Sequence, residues 1–191
     1  MNIASLEAVL LFGILPTWIA AGFADWACHR ATRIECTTGS RESLLHLAMM
    51  VEVGIPLLAA LFLEVNALVF ALMLFAFIAH EATALWDVSL ATHSARPVSA
   101  FEQHVHSFLE LLPLFAILCL VALHPMQFLA LFLVGPQAPS FAPVLKTHPL
   151  GATYVVALLL ATLLLNVSPF AEELYRCVRT SRKGHASTAT S

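Results

Sequence analysis

Long apolar stretches dominate the chain, and most of them contain histidines or acidic residues. Hydrophobic residues make up 60% of the 191 residues and charged residues only 11%, which is far from the balance of a soluble domain. A helix needs about 20 apolar residues to cross a bilayer. Titratable side chains inside such a stretch are expensive in lipid and are typical of functional sites. The sequence therefore predicts an integral membrane protein that contains a polar site.

Five apolar segments are long enough to cross a membrane as helices. They lie at 3–29, 43–64, 66–93, 100–123 and 149–170. The predicted fold is all-α, a transmembrane bundle of about five helices that forms one domain over residues 1–175. Residues 176–191 are first basic and then polar, and we expect a disordered cytoplasmic tail there. Only Glu64, Val65 and Asn66 separate the second and third segments, which predicts a tight antiparallel hairpin. Ser99 and Glu102, three residues apart, are typical of a capping box that begins the fourth helix.

The basic residues predict the orientation of the bundle. Eight of the nine lie in the first loop, the third loop or the tail: Arg30, Arg33, Arg41, Arg96, Arg176, Arg179, Arg182 and Lys183. By the positive-inside rule, the amino terminus is outside the cell, and these loops and the carboxyl terminus are cytoplasmic. We expect the first-loop arginines to face lipid headgroups and Glu42 to be solvated in the first turn of its helix.

The histidines and acids fall at matched depths in this topology. Asp25, His46, Asp87 and His106 each lie about four to seven residues from a cytoplasmic helix end, a depth of roughly 6 to 10 Å. A second layer about one and a half turns deeper contains Glu52, His80, Glu81 and Glu110. His29, His93 and Glu102 lie near the mouth. Helical spacing places Asp25 with His29, His80 with Asp87, and His106 with Glu110 on shared faces. His46 and Glu52 are about 120° apart, so one of them is expected to face a neighbouring helix.

Imidazole and carboxylate groups together suit iron, zinc or manganese. Their number exceeds the needs of one four-coordinate zinc, so the sequence favours two metal ions, with iron preferred and zinc as the alternative. The candidate ligands are Asp25, His29, His46, Glu52, His80, Asp87, His93 and His106, and the candidate catalytic acids or bases are Glu81 and Glu110. The competing interpretation is a buried hydrogen-bonded network without metal. For Glu102, a role as helix cap has the same weight as a role as ligand. For His93 and His104, an interfacial position has the same weight as a place in the site.

A small helical membrane protein with a cytoplasm-facing group of histidines resembles the membrane-bound fatty-acid desaturase and hydroxylase superfamily in the character of its site. The nearest strings are Phe101-Glu102-Gln103-His104-Val105-His106, and His80-Glu81 followed by Trp86-Asp87. The histidine boxes of that superfamily, HxxxH and two HxxHH patterns, are not in this sequence. The resemblance implies dioxygen activation at a di-iron centre and oxidation of a lipid or other hydrophobic substrate.

These observations predict a membrane-embedded oxidoreductase that acts on an amphiphile from the inner leaflet, with electrons from a separate donor and no role for nucleic acid. Three alternatives remain open. A zinc-dependent hydrolase would use Glu81, Glu110 or Asp87 as general base. A haem-binding electron carrier would use His46 and His106. A divalent-cation transporter fits least, because the outer halves of the segments contain almost no polar groups.

Overall fold

The computed structural model describes residues 3–94 and 96–188, and the chain there is helical apart from its turns and connecting segments. The helices are α1 (Ile3–Ala31), α2 (Ser40–Phe62), α3 (Ala67–Thr92), α4 (Ala100–Leu123), the short α5 (Pro125–Leu131) and α6 (152–188). Two helices contain wider π-helical turns, Val9–Ile14 in α1 and Leu163–Val167 in α6. Helices α1 to α4 and the Ala152–Lys183 part of α6 are long and apolar enough to span a membrane. The prediction of an all-α bundle with five such helices is confirmed.

The last helix is longer than its apolar stretch. The sequence places its end near residue 170 and a disordered tail from residue 176, whereas the structure continues the helix to Thr188. Arg176 anchors this extension, because its side chain pairs with Glu35 in the first loop and with Glu172 one turn earlier. Residues 189–191 of the predicted tail lie outside the described residues.

Side-chain caps define where α3 and α4 begin. Asn66 accepts hydrogen bonds from the backbone N–H groups of Leu68 and Val69. This cap begins α3 directly after the short turn of the predicted hairpin between α2 and α3. The Ser99 hydroxyl oxygen accepts from the backbone N–H of Glu102 at 3.1 Å. Only this half of the predicted capping box forms, because the Glu102 carboxylate is directed into the bundle and binds Arg96.

The five long helices form a closed ring. Helix α1 contacts α4 and α6, α4 contacts α3, α3 contacts α2, and α2 contacts α6. Since successive helices alternate in direction, the turns at 32–39 and 93–99 lie at one end of the ring, which we call the cluster end. The turn at 63–66 and the connection 124–151 lie at the opposite end, which we call the far end. A chain with this order can direct one side chain from each helix to a common interior.

An extended segment before α6 is fixed across the far end. The backbone N–H of Lys146 donates to the Phe62 carbonyl at 2.9 Å, and the Glu64 N–H donates to the Val144 carbonyl at 2.8 Å. The Thr147 N–H and hydroxyl both donate to the Glu64 carboxylate, at 2.7 and 2.8 Å. These bonds hold the segment against the α2–α3 hairpin.

Helices α1 and α6 approach closely at a glycine. A side chain on Gly22 would place its Cβ 2.0 Å from the Asn166 amide nitrogen. That nitrogen donates to the Ile19 carbonyl at 3.3 Å. Asn166 lies in the π-helical turn of α6, so the absence of a Gly22 side chain lets this turn contact α1.

Candidate metal centre

Polar side chains from all five long helices meet inside the ring at the cluster end. We call this set the His/acid cluster. It comprises Asp25 and His29 of α1, Glu42 and His46 of α2, Asp87 of α3, Arg96 of the turn between α3 and α4, Glu102 and His106 of α4, and Glu173 of α6. All except His106 are at most 4% exposed, and the His106 side chain is 16% exposed. Burial of so many titratable groups is costly unless they are paired or bind a cation.

One group within the cluster has the geometry of a cation site. Asp25, His29, Glu102 and His106 each offer one nitrogen or oxygen atom, and these four atoms lie within 4.8 Å of one another. The Asp25 Oδ1 atom is 2.9 Å from His106 Nε2 and 3.5 Å from His29 Nε2. His29 Nε2 is also 3.6 Å from Glu102 Oε1. Two imidazoles and two carboxylates are a suitable ligand set for iron, zinc or manganese.

A second group shares His29 with the first. It comprises His29, Glu42 and His46, again with ligand atoms within 4.8 Å. The His46 Nε2 atom is 3.3 Å from Asp87 Oδ1, so Asp87 extends this group. The rings of His29 and His46 are stacked, with centroids 4.3 Å apart and planes 12° apart. The two groups that are able to hold a metal ion are therefore neighbours that meet at His29.

The Glu173 carboxylate connects the two histidines. Its Oε2 atom is 3.1 Å from His29 Nδ1, and its Oε1 atom is 3.1 Å from His46 Nδ1. The Nε2 atoms of both rings face other carboxylates of the cluster. Metal-binding histidines commonly have this arrangement, with one ring nitrogen on the ion and the other donating to a carboxylate that orients the ring. Glu173 is therefore suited to orient both imidazoles.

Several buried atoms of the cluster approach each other without hydrogen-bond geometry. Among the described residues, no hydrogen-bond partner is found for His29 Nε2, His46 Nε2, His106 Nε2, Asp25 Oδ1, either Asp87 oxygen, Glu42 Oε2 or Glu102 Oε2. Buried polar atoms are normally hydrogen-bonded. Ring nitrogens and carboxylate oxygens that converge at 2.9 to 3.6 Å in this way are compatible with a ligand set, and these atoms belong to the two groups or to Asp87 beside them.

The charges of the cluster also favour cations. Arg96 donates to Glu102 at 2.5 Å and to Glu42 at 2.6 Å. Burial by itself lowers the pKa of Arg96, but Glu42 and Glu102 outweigh burial, and the pKa lies above its ordinary value. The cluster contains five buried carboxylates and one guanidinium. With neutral histidines this leaves four negative charges. Protons on the three histidines would balance three of them, and two divalent cations would balance all four.

The structure brings five of the eight predicted ligands into the cluster: Asp25, His29, His46, Asp87 and His106. Glu52 and His80 form a separate pair deeper in the bundle, with His80 Nδ1 3.9 Å from Glu52 Oε2, and the Thr83 hydroxyl donates to Glu52 at 2.8 Å. His93 is exposed, and its Nδ1 atom contacts the Ser89 carbonyl at 2.7 Å. The predicted catalytic residues Glu81 and Glu110 are half-buried.

Three residues of the cluster were assigned other roles or none from the sequence. The expectation that Glu42 is solvated is wrong, because it is fully buried against Arg96. Arg96 itself is buried rather than exposed in a loop. Glu173 was missed because the apolar stretch ends before it. An unbroken helical pattern after Pro169, with acids at 172 and 173 and a base at 176, was the available signal.

A small cavity of about 350 Å³ reaches the cluster from between α3 and α4. Glu102 and His106 form part of its wall, together with Glu110 and with apolar side chains that include Val88 and Ala91. The predicted catalytic residue Glu110 therefore faces the same space as two candidate ligands. A molecule in this cavity would contact the cluster directly.

Comparisons with protein-family models, with curated proteins and with solved structures found no match. The fold and the site together define a multi-pass helical membrane protein with buried histidine and carboxylate groups that are able to hold metal ions.

Proposed function

We propose that the protein is a membrane metalloenzyme that binds two metal ions, preferentially iron, and uses dioxygen to oxidise a hydrophobic substrate. The observation that carries this proposal is the pair of ligand groups that share His29 and are connected by Glu173. Two-metal sites have ions about 3.5 to 4 Å apart, and such a separation requires shared or adjacent ligands. Soluble di-iron proteins likewise build their sites from carboxylates and histidines inside a helix bundle.

Each residue of the cluster has a role in this proposal. Asp25, His29, Glu102 and His106 would hold one ion, and Glu42, His46 and Asp87 the other. When bound, the ions would supply the reductive activation of dioxygen. Glu173 would orient His29 and His46, and Arg96 would neutralise part of the negative charge of Glu42 and Glu102 and compete with the ions for them.

The small cavity provides the route for the substrate in this proposal. Its apolar residues, among them Val88 and Ala91, suit a hydrophobic molecule that enters between α3 and α4. Glu110 in its wall would accept or return protons next to the ligands Glu102 and His106. Electrons would come from a separate one-electron carrier, and the predicted cytoplasmic orientation would present the cluster end to it.

A zinc-dependent hydrolase is the second candidate, and the position of Glu110 favours it. A zinc-bound hydroxide needs a neighbouring general base, and Glu110 lines the cavity that reaches two candidate ligands. The haem alternative is disfavoured, since both ring nitrogens of His46 already face carboxylates, those of Glu173 and Asp87.

Metal content of the purified protein tests the proposal. We expect about two equivalents of iron per chain, and in His29→Ala a loss of at least the ion held with Asp25, Glu102 and His106, because His29 Nε2 lies among those ligands. His93→Ala is the matched control, since His93 is exposed and outside the cluster, and it should retain the metal. Zinc in place of iron would favour the hydrolase. Protein that contains no metal after growth with added iron and zinc would overturn both candidates, and iron without substrate-dependent oxygen uptake would overturn the oxidase.

A further inference from the structure

A second and larger cavity lies inside the ring, toward the far end and separate from the His/acid cluster. It has a volume of about 450 Å³ and is lined by α1, α2, α3 and α4 and by the segment before α6. Its walls are mainly apolar, with Leu15, Trp18, Leu57, Phe77 and Ile117 among the lining residues. The proposed function does not use this cavity.

The cavity is elongated along α2. Its lining on that helix runs from Glu52 to Leu61, nine residues or about 14 Å of helix, and it continues past the helix end to Glu64. A volume of about 450 Å³ has room for one extended hydrocarbon chain.

The polar lining residues are concentrated at the mouth. Glu7, Glu64, His124, Lys146, Thr147 and His148 lie there, whereas Glu52 lies at the opposite end. Glu64 already accepts two hydrogen bonds from Thr147, and Glu7 is exposed. The mouth therefore contains two acids, two histidines and one lysine, and Glu64 is already hydrogen-bonded.

Lys146 is the basic residue that faces this cavity. Its backbone is fixed by the bond to Phe62 and by the bridge between Leu63 and Leu145. Its side chain is half-buried, and burial lowers its pKa despite the opposing effects of Glu64 and Glu7. Among the described residues, Lys146 forms no ion pair within 4.0 Å. A half-buried ammonium without a salt bridge at the mouth of an apolar cavity would gain a partner from an acidic headgroup.

We propose that this cavity binds one long-chain fatty acid, with its carboxylate at Lys146 and its chain extended toward Glu52. Glu52, which pairs with His80, lines the inner end of the cavity. Six residues of α2 separate Glu52 from His46, so the chain end stops about 9 Å from the cluster. The fatty acid is therefore bound apart from the metal ions and from the small cavity between α3 and α4.

Native mass spectrometry of detergent-released protein, with palmitate or its neutral analogue cetyl alcohol added, tests this assignment directly. We expect one palmitate per chain and clearly less cetyl alcohol at equal concentration. Lys146→Met should bind palmitate at least about tenfold more weakly than the unchanged protein, because it loses a charged hydrogen bond. Lys183→Met is the matched control, since Lys183 is exposed in α6, and it should bind as the unchanged protein does.

A second pair of variants tests the chain-binding part of the cavity. Ala116→Phe fills the cavity from α4, where Ala116 lines the wall, and should abolish palmitate binding. Ala122→Phe adds the same ring at an exposed position of α4 and should not. Equal binding of palmitate and cetyl alcohol, or unchanged binding by Lys146→Met and Ala116→Phe, would overturn the proposal. Metal content measured on the same samples should stay constant, so failure here is distinguishable from failure of the metal centre.

Discussion

Replacing Arg96 by methionine should destabilise the metal-free protein strongly. Arg96 donates to Glu42 at 2.6 Å and to Glu102 at 2.5 Å, and both carboxylates are fully buried. Removing one partner of a buried ion pair costs about 3 to 5 kcal/mol, since it leaves the other charge uncompensated. Methionine retains most of the apolar stem, so the loss is mainly electrostatic.

Bound metal should reduce this loss. Without the guanidinium, Glu42 and Glu102 are freer to bind a cation, so Arg96→Met should bind metal more tightly than the unchanged protein. A tenfold gain in affinity would recover about 1.4 kcal/mol at saturating metal. The difference between variant and unchanged protein should therefore be larger in chelator than in saturating metal.

Denaturant unfolding in mixed micelles, followed by circular dichroism with chelator and with ferrous or zinc ion, measures both quantities. Arg41→Met is the matched control, since Arg41 is exposed on the adjacent helix, and it should change the free energy of unfolding by less than about 0.5 kcal/mol. An equal destabilisation of Arg96→Met with and without metal would refute the assignment of Glu42 and Glu102 to the metal groups.

Three further predictions concern the scaffold. Gly22→Ala should destabilise the protein in thermal unfolding, because its Cβ would lie 2.0 Å from the Asn166 amide, and Asn166→Ala in the same chain should reverse most of that loss. Ser99→Ala should lower the free energy of unfolding by about 1 kcal/mol, since α4 loses its N-cap. The Thr147 hydrogen bonds lower the pKa of Glu64, so their stabilising effect is present above the ordinary glutamate pKa and is lost as the pH falls through the lowered value. Glu64→Gln should therefore be less stable than the unchanged protein at neutral pH, and the difference should shrink on acidification.

Each of these has an outcome that would contradict it. A double variant no more stable than Gly22→Ala alone would mean that the contact with Asn166 is not the cause. Unchanged unfolding of Ser99→Ala would place the start of α4 elsewhere. If Glu64→Gln and the unchanged protein differ in free energy of unfolding by the same amount from about pH 7 to pH 3, Glu64 does not contribute to the pH dependence of stability.

Much of the site was predictable because a membrane reduces the alternatives. Apolar length fixed the spans, and the distance of a residue from its loop then fixed its depth. Asp25, His46, Asp87 and His106 share one depth in the sequence, and in the structure they belong to one cluster. The angle of about 120° between His46 and Glu52 around α2 likewise predicted that they face different neighbours. In the structure Glu52 lies outside the cluster and pairs with His80.

The rest depended on features that hydropathy does not encode. Glu42 lies in the first turn of α2, where a carboxylate can equally face water, and its burial follows from the path of the third loop that delivers Arg96. Glu173 lies beyond the last apolar stretch, on a part of α6 held by the pairing of Arg176 with Glu35. Both depend on contacts between residues distant in sequence, and spacing along one helix does not reveal such contacts.

The π-helical turn Leu163–Val167 sets the rotation of the polar half of α6 relative to its apolar half. Each helical residue advances the face of a helix by about 100°, and a π turn accommodates an extra residue that an α-helix would place on the next face. If Leu163–Val167 were regular α-helix in a chain of the same length, α6 could still cross the bilayer. Every residue after the turn would then be rotated by about 100°, and the Glu173 carboxylate would point away from His29 and His46. The spacing between the apolar half of α6 and its polar end is thus as much a part of the metal centre as the ligands, although no residue of the turn belongs to the cluster.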